Sequence, residues 1–213
     1  TCLRRHFLSV LFLCVFSAGA QSSLQTVDGK IHIHVGLTSG CRDARGFMSQ
    51  IRQTYDLYKD HIEIQFVPWA RTIRDGNGNL ICQFGEPDCF ANRVFRCSLS
   101  LLKDKPDAQV DYMACEMSSP FPAFSDQSLR CAKNVGLDLD KVNNCLAVNG
   151  DKLEVEAEKL AAKPMAAINF VPYIVFKNVI DRDMSFRAFF NLENLVCSAL
   201  RDDPSTGVKN CKL

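Results

Sequence analysis

The sequence predicts a mixed α/β fold whose strands lie near both ends of the chain and whose middle is helical and rich in cysteine. A strand, a helix and a second strand can be read from the periodicity of residues 31–67. Six cysteines and several helix-capping signals follow, before a β-branched and aromatic run at 171–176 marks the return of strands. We therefore expect a core built from residues 21–69 and 165–213, with residues 70–164 inserted as a helical, cysteine-rich subdomain.

The first 20 residues predict a secretory signal peptide. Two arginines precede an apolar run over residues 7–16, and the small residues Ala18 and Ala20 stand where signal peptidase cleaves. The run is shorter than a bilayer-spanning helix, so we expect cleavage rather than the alternative, a retained membrane anchor. The protein is expected to be secreted, with the lysosome or endosome as the alternative location and no stable insertion in a membrane.

The charge balance excludes some classes of partner. The 25 Lys plus Arg residues are nearly matched by 24 Asp plus Glu, and the two signs are interspersed along the chain. Binding to nucleic acid or to an anionic membrane surface requires clustered positive charge. We therefore expect no nucleic-acid partner.

The opening unit places a cysteine at a turn between a strand and a helix. Residues 31–35 alternate apolar and polar side chains, as in a strand with one buried face. From Cys41 to about Lys59 the apolar residues recur at three- and four-residue steps, which indicates an amphipathic helix. Residues 62–67 alternate again and end at Pro68, so we expect a second strand that a helical crossover places near the first.

Capping and helix-breaking signals divide the inserted segment into four predicted helices. They are a helix capped by Asp88 that runs to about Lys103, one from Ser125 or Asp126 through Val135, one opened by Asp138 or Asp140 and ending near Gly150, and one from Leu153 to Lys163 that Pro164 stops. The remaining predicted elements are a strand at 171–176, a short companion at Val179-Ile180 and a closing helix from Asn191 to Arg201.

Cysteine usage predicts a disulfide-stabilised protein. Of eleven cysteines, two lie within the predicted signal peptide and nine remain. Nine is odd, so an oxidising compartment allows four disulfides and leaves at least one thiol, either free or paired with another molecule. The spacing leaves the pairing open. No two of the nine have the short spacing usual in zinc sites, and the four histidines show no ligand pattern, so we expect no metal and no cofactor.

Cys41 is the first candidate for chemistry. A thiol at the start of a helix faces unpaired backbone amides and the positive end of the helix dipole, which favour the thiolate. Arg42 adds to this effect and Asp43 opposes it. The alternative that the local sequence leaves open is that Cys41 forms half of an ordinary disulfide.

Residues 82–97 carry a resemblance to a known family. They read CQFGEPDCFANRVFRC and resemble the signature CQHGxxECxxNxxxxC of the gamma-interferon-inducible lysosomal thiol reductases. Every spacing is kept, and Phe84 and Asp88 stand where the family has His and Glu. The residues that match the signature are Cys82, Gln83, Gly85, Cys89, Asn92 and Cys97. Similarity extends to Val-Pro-Trp at 67–69, Phe-Val-Pro-Tyr at 170–173, Leu-Val-Cys at 195–197 and Cys211, and so covers roughly residues 31–211.

The resemblance implies a thioredoxin-like fold with a helical insertion. That fold places a cis proline before a strand and opposite the reactive cysteine, so we expect a cis Val171–Pro172 bond; the alternative is a trans Pro172 at the first residue of a strand. A cis bond would leave the preceding backbone free to pair with an extended substrate. Cys41 is then the expected unpaired cysteine, and the structural disulfides are expected to use Cys82, Cys89, Cys97, Cys115, Cys131, Cys145, Cys197 and Cys211.

The same resemblance shows a departure at the reactive motif. The family has Cys-x-x-Cys followed by Arg-x-Phe, and this chain has Cys41-Arg42-Asp43-Ala44 followed by Arg45 and Phe47. In the family the first cysteine attacks a substrate disulfide and the second releases the resulting mixed disulfide. Ala44 stands at the second position, so Cys41 is expected to attack but not to release itself.

These features predict a secreted interaction protein that resembles an insect salivary branch of the family and has lost dithiol turnover. Its partner is expected to be a protein or a cell-surface component. One alternative is a reductase that uses Cys41 as a monothiol nucleophile and an external thiol for release. Another is a disulfide-linked dimer formed through Cys41.

Overall fold

The computed structural model describes residues 23–211, so the predicted signal peptide at residues 1–20 lies outside the described residues. The chain opens with strand β1 (Ile31–Leu37), helix α1 (Arg42–Tyr58) and strand β2 (Ile62–Pro68). The two strands are parallel neighbours, with Ile31 opposite Ile62. The predicted strand, helix and strand are confirmed.

Helix α1 forms because its apolar residues recur on one face. The residues that this face buries are Ala44, Phe47, Met48, Ile51, Thr54, Tyr55 and Tyr58. They pack against β1, whose Ile31, Ile33 and Val35 are at most 1% exposed. The helix starts immediately after Cys41, so the buried strand and helix fix the position of that cysteine.

The middle of the chain is a short hairpin followed by helices. The hairpin consists of β3 (Ile73–Arg74) and β4 (Leu80–Ile81), joined by the turn around Asp75. The helices are α2 (Glu86–Leu101), α3 (Pro106–Glu116), α4 (Pro122–Asp126), α5 (Arg130–Asn134), α6 (Leu139–Asn144), a π-helical turn (Cys145–Asn149) and α7 (Gly150–Ile168). Disulfides in the described chain join Cys82 to Cys89, Cys97 to Cys145, Cys115 to Cys131, and Cys197 to Cys211.

Several predicted helix limits in this segment are wrong. Helix α2 begins at Glu86 after Gly85, whose φ of 78° is favourable for glycine, and Asp88 lies within the first turn instead of capping it. The helix predicted from Ser125 or Asp126 is in fact two short helices, because Gln127 adopts a left-handed conformation between them. Helix α3 was not predicted, although Pro106 at its first position is a usual start signal. Asp138, one of the two alternatives, does cap α6.

Pro164 does not end α7, which continues to Ile168. A proline inside a helix removes one backbone hydrogen bond and crowds the carbonyl four residues earlier. Burial on both sides of Pro164 offsets that cost, because Ala161 and Ile168 are each 1% exposed and pack against the core that contains Trp69 and Tyr173. The prediction that Pro164 stops the helix is therefore wrong.

The chain returns to the sheet at β5 (Tyr173–Phe176), which pairs antiparallel with β1 and gives the strand order β2-β1-β5. Val179 forms only an isolated bridge with Phe176, so the predicted companion at Val179-Ile180 is not a strand. Helix α8 (Arg182–Phe190) was not predicted, and α9 (Leu192–Arg201), capped by Asn191, is the predicted closing helix.

No helix within residues 23–211 has the length and apolar character needed to cross a membrane. The disulfides of this part of the chain are typical of proteins that fold in an oxidising compartment.

Glu116 is a buried carboxyl group that links two helices of the middle segment. It is 2% exposed, and its Oε2 accepts a hydrogen bond from the backbone N of Ala123, 3.0 Å away. Burial raises the pKa of Glu116 to about 7, and the backbone hydrogen bond from Ala123 and the charge of Arg130 oppose that rise. The folded chain therefore holds a proton at pH values where the unfolded chain has released it.

This linkage predicts that the protein is more stable in acid. Between about pH 4.5 and 7 the folded state binds more protons at Glu116 than the unfolded state does, so the free energy of unfolding falls as pH rises, by ~3 kcal/mol at most. We expect Glu116→Gln to reduce the difference in Tm between pH 5 and pH 7.5, measured by circular dichroism. The exposed Glu156→Gln is the control. An unchanged Tm difference in Glu116→Gln would contradict the prediction.

Candidate functional site

Cys41 lies where β1 passes into α1, at the N-cap position of the helix. It is 8% exposed, and its Sγ lies 3.6 Å from the backbone O of Val171. Cys41 is the free cysteine of the described residues, since the others form the four disulfides. The alternative, an intrachain disulfide at Cys41, is therefore not present in the structure.

The segment opposite Cys41 is the loop that leads into β5. The Val171–Pro172 peptide bond in this loop is cis. Phe170, which precedes it, packs its ring against Phe186 and Phe189 of α8, with ring centroids 5.2 and 5.0 Å away. The loop therefore places a backbone carbonyl beside the thiol and an aromatic cluster next to it.

Ala44 lies in the first turn of α1 and is 1% exposed. Residues three apart at a helix start are neighbours on one side of the helix. Ala44 thus presents a methyl group beside Cys41. In the part of the chain that the structure describes, no second free thiol is available to release a partner from Cys41.

The turn formed by Thr38, Ser39 and Gly40, here the 38–40 turn, is held by one carboxylate. Asp88 of α2 accepts from Thr38 Oγ1 at 2.7 Å, from Ser39 Oγ at 2.5 Å and from the backbone N of Gly40 at 3.0 Å. Asp88 is 0% exposed. The residue at the family's Glu position therefore acts on the turn that directly precedes Cys41.

Asn92, one helical turn after Asp88, completes this network. Its Oδ1 accepts from the backbone N of Ser39 at 2.9 Å, and its Nδ2 donates to Thr38 Oγ1 at 2.8 Å. Both side chains of the signature thus face the 38–40 turn from across the fold. Sequence reasoning recognised Asn92 as a signature residue but assigned it no contact, because its partners lie more than 50 positions earlier in the chain.

Phe84 covers the 38–40 turn from the outside. The Cys82–Cys89 disulfide closes the loop that carries it, and the Phe84 ring lies so close to Gly40 that a Cβ on Gly40 would come within 2.5 Å of it. Phe84 remains 40% exposed. Gly40 is therefore required for this contact, and an aromatic ring borders the Cys41 site where the family has a histidine.

The remaining signature residues are structural or exposed. Gly85 precedes α2 with a positive φ, Gln83 is exposed, and Cys97 joins α2 to the π-helical turn through Cys145. On β1, His32 pairs with Glu63 at 3.0 Å. Among residues 23–211 no group of His, Cys, Asp and Glu is arranged to hold a metal ion.

Arg45 supports the site from the next turn of α1. Its Nε donates to the backbone O of Ser39 at 2.8 Å, and its guanidinium lies over the rings of Phe121 and Phe124, 3.6 and 4.7 Å from their centroids. Burial lowers the pKa of Arg45, and the charges of Asp88 and Cys41 act in the opposite direction. Arg45 therefore joins the 38–40 turn to the short helix α4.

A cysteine at the start of the first helix, opposite a cis-proline loop on a three-stranded sheet, defines the thioredoxin-like class of thiol–disulfide proteins. Solved structures of this class share the fold. A thioredoxin-like oxidoreductase from Silicibacter pomeroyi DSS-3 aligns with a TM-score of 0.54 at 17% identity, over 84% of this chain and 91% of its own. A putative protein disulfide isomerase from Nitrosomonas europaea aligns with a TM-score of 0.55 at 14% identity, over 81% and 98%.

Comparisons with known proteins support membership of the gamma-interferon-inducible lysosomal thiol reductase family. The family profile, described as "Gamma interferon inducible lysosomal thiol reductase (GILT)", matches residues 32–135. A "Gamma-interferon-inducible lysosomal thiol reductase-like protein" from Anopheles gambiae is 23% identical over 93% of this chain and 86% of its own length. The Carassius auratus "Gamma-interferon-inducible lysosomal thiol reductase" is 27% identical over 78% and 66%. The resemblance of residues 82–97 is thereby confirmed.

Proposed function

We propose that this protein is a secreted member of the family that captures cysteine-containing polypeptides through Cys41 and does not turn over as a dithiol reductase. The observation that carries this proposal is the buried Ala44 beside the free Cys41. The partner is a protein or a cell-surface component that presents an accessible disulfide. The predicted signal peptide and the disulfides support an extracellular site of action.

The chemistry of this site ends at a mixed disulfide. The Cys41 thiolate attacks one sulfur of a partner disulfide, the partner's S–S bond breaks, and the second partner sulfur leaves as a thiolate that takes up a proton. A new S–S bond then joins Cys41 to the partner. Release needs a thiol to attack this bond. The freed partner thiol reverses the step only while it stays close, and within this protein the neighbouring position holds the methyl group of Ala44.

The second candidate function is a monothiol reductase in an acidic compartment, with a small external thiol as the releasing group. The buried Glu116 favours it, because the raised pKa of this group makes the fold more stable in acid. The dimer alternative is less compatible with the geometry. Cys41 is 8% exposed and packs against Val171, so a dimer disulfide requires two such sites to open, whereas capture of an exposed partner disulfide requires only one.

Native alkylation is expected to label Cys41 alone. The protein, purified without reductant, is treated with iodoacetamide under native conditions, digested and mapped by mass spectrometry. Because the other eight cysteines are paired, label on any peptide other than that of Cys41 would contradict the assignment of the free thiol. Labelling is expected to be slow, since the thiol is buried.

The capture experiment uses as the probe a fluorescent peptide whose single cysteine is disulfide-bonded to a small thiol, so that the leaving thiol diffuses away. We expect a stable 1:1 adduct on non-reducing gels and by intact mass, absent in Cys41→Ser and released by added glutathione. No adduct with the parent protein would overturn the proposal. Repeated reduction of the peptide in the presence of glutathione, at a rate comparable to that of a dithiol enzyme, would replace the capture proposal with the monothiol reductase. A disulfide-linked homodimer would instead support the dimer formed through Cys41.

A further inference from the structure

Asp88 is a fully buried carboxylate whose hydrogen bonds converge on the surroundings of Cys41. It accepts from the three residues of the 38–40 turn, from Asn92 Nδ2 at 3.2 Å and from the backbone N of Phe84 at 3.4 Å. These donors come from the end of β1, from α2 itself and from the Cys82–Cys89 loop. The Asp88 side chain thus links the turn after β1, helix α2 and the Cys82–Cys89 loop.

The energetics make this carboxylate difficult to replace. A buried charge is costly unless hydrogen bonds or an opposite charge compensate for it. Within residues 23–211 no cation lies at ion-pair distance from Asp88, so the hydrogen-bond donors supply most of the compensation, and the more distant charge of Arg45 adds to it. Removal of the carboxylate would leave the hydroxyls of Thr38 and Ser39 and the N–H of Gly40 buried without this acceptor.

The 38–40 turn in turn sets the position of Cys41. The backbone N of Cys41 donates to the O of Thr38 at 3.2 Å, and Gly40, bound to Asp88, is the residue before Cys41. Loss of these contacts would let the thiol move away from Val171 and toward solvent.

We propose that Asp88 is the positioning residue of the Cys41 site: it holds the 38–40 turn, keeps the thiol packed against Val171 and restrains its reactivity. This inference rests on the proposed function of Cys41. It gives the acidic position of the signature a role in this chain. The carboxylate does not touch the partner and acts through the turn.

The test compares the rate of Cys41 alkylation by iodoacetamide in three variants. Asp88→Asn should react roughly tenfold faster than the parent, because loss of the carboxylate loosens the turn and exposes the thiol. Asp88→Glu should restore the parent rate, since it returns a carboxylate to the same donors. Glu154→Gln removes another buried carboxylate, paired with Arg96, and is the control for general destabilisation; it should leave Cys41 alkylation unchanged.

An Asp88→Asn protein that reacts at the parent rate would overturn the inference, as would a fast Asp88→Asn variant whose rate Asp88→Glu fails to restore. If Asp88→Asn does not fold, Ser39→Ala and Thr38→Val each remove one donor to the carboxylate, and both should accelerate alkylation by a smaller factor. Unchanged rates in both would also overturn it. Since iodoacetamide needs no partner, this result is independent of the capture experiment, whose failure would count against the proposed function alone.

Discussion

Replacement of Ala44 by cysteine is expected to raise the disulfide-reductase activity of the protein roughly a hundredfold. Residues 41 and 44 are neighbours at the start of α1, so a thiol at position 44 lies beside the sulfur of Cys41. Such a thiol attacks the mixed disulfide at an effective concentration in the millimolar range or above, whereas an external thiol acts only at its bulk concentration. The assay is the reduction of a protein disulfide with a recycling dithiol, at pH 5 and at pH 7.

Two controls make this prediction specific. Ala44→Ser introduces a side chain of similar shape without a thiol and should gain nothing, and a Cys41→Ser change in the Ala44→Cys background should abolish the gain. Equal activity in the parent and in Ala44→Cys would contradict the proposed loss of turnover. If the Ala44→Cys protein is inactive, the further substitution Phe84→His tests whether the Phe84 ring over Gly40 blocks the site independently.

The core of the fold was predictable because its signals are local. Apolar and polar residues alternate in β1 and β2, and apolar residues recur every three or four positions in α1. These patterns are visible within short stretches of sequence, and all three elements were predicted correctly. Pro164 shows the limit of local reading, since the burial of Ala161 and Ile168 keeps the helix intact around it. Tertiary packing decides such cases, and a single sequence does not display it.

The site was predictable in its parts but not in its assembly. The spacing of residues 82–97 identified the signature, and the position of Cys41 at a helix start identified the thiol. The contact between Asp88 and the 38–40 turn joins residues about 50 positions apart, and the sequence suggested a helix cap for Asp88 instead. Thr38 and Ser39, two hydroxyl residues at the end of a buried strand, were the available signal that a buried acceptor lies nearby.

The largest effect on stability is expected from loss of the Cys97–Cys145 disulfide. It closes the longest disulfide loop in the described chain, with a sequence separation of 48, and its cysteines are 0% and 5% exposed. Loop-closure entropy alone predicts that Cys97→Ala with Cys145→Ala lowers the free energy of unfolding by about 4 kcal/mol. For a chain of this size that corresponds to a fall in Tm of roughly 10 °C, measured by calorimetry.

The matched control is Cys82→Ala with Cys89→Ala, whose loop has a separation of only 7 and whose removal should cost about 2 kcal/mol. This second pair has a different consequence, because the loop it closes carries Phe84 and leads into the helix turn of Asp88. We expect it to accelerate Cys41 alkylation, whereas the Cys97–Cys145 pair, whose loop carries no residue that covers the 38–40 turn, should leave alkylation unchanged. A larger loss of stability from the short loop than from the long one would show that local packing of these disulfides outweighs loop-closure entropy.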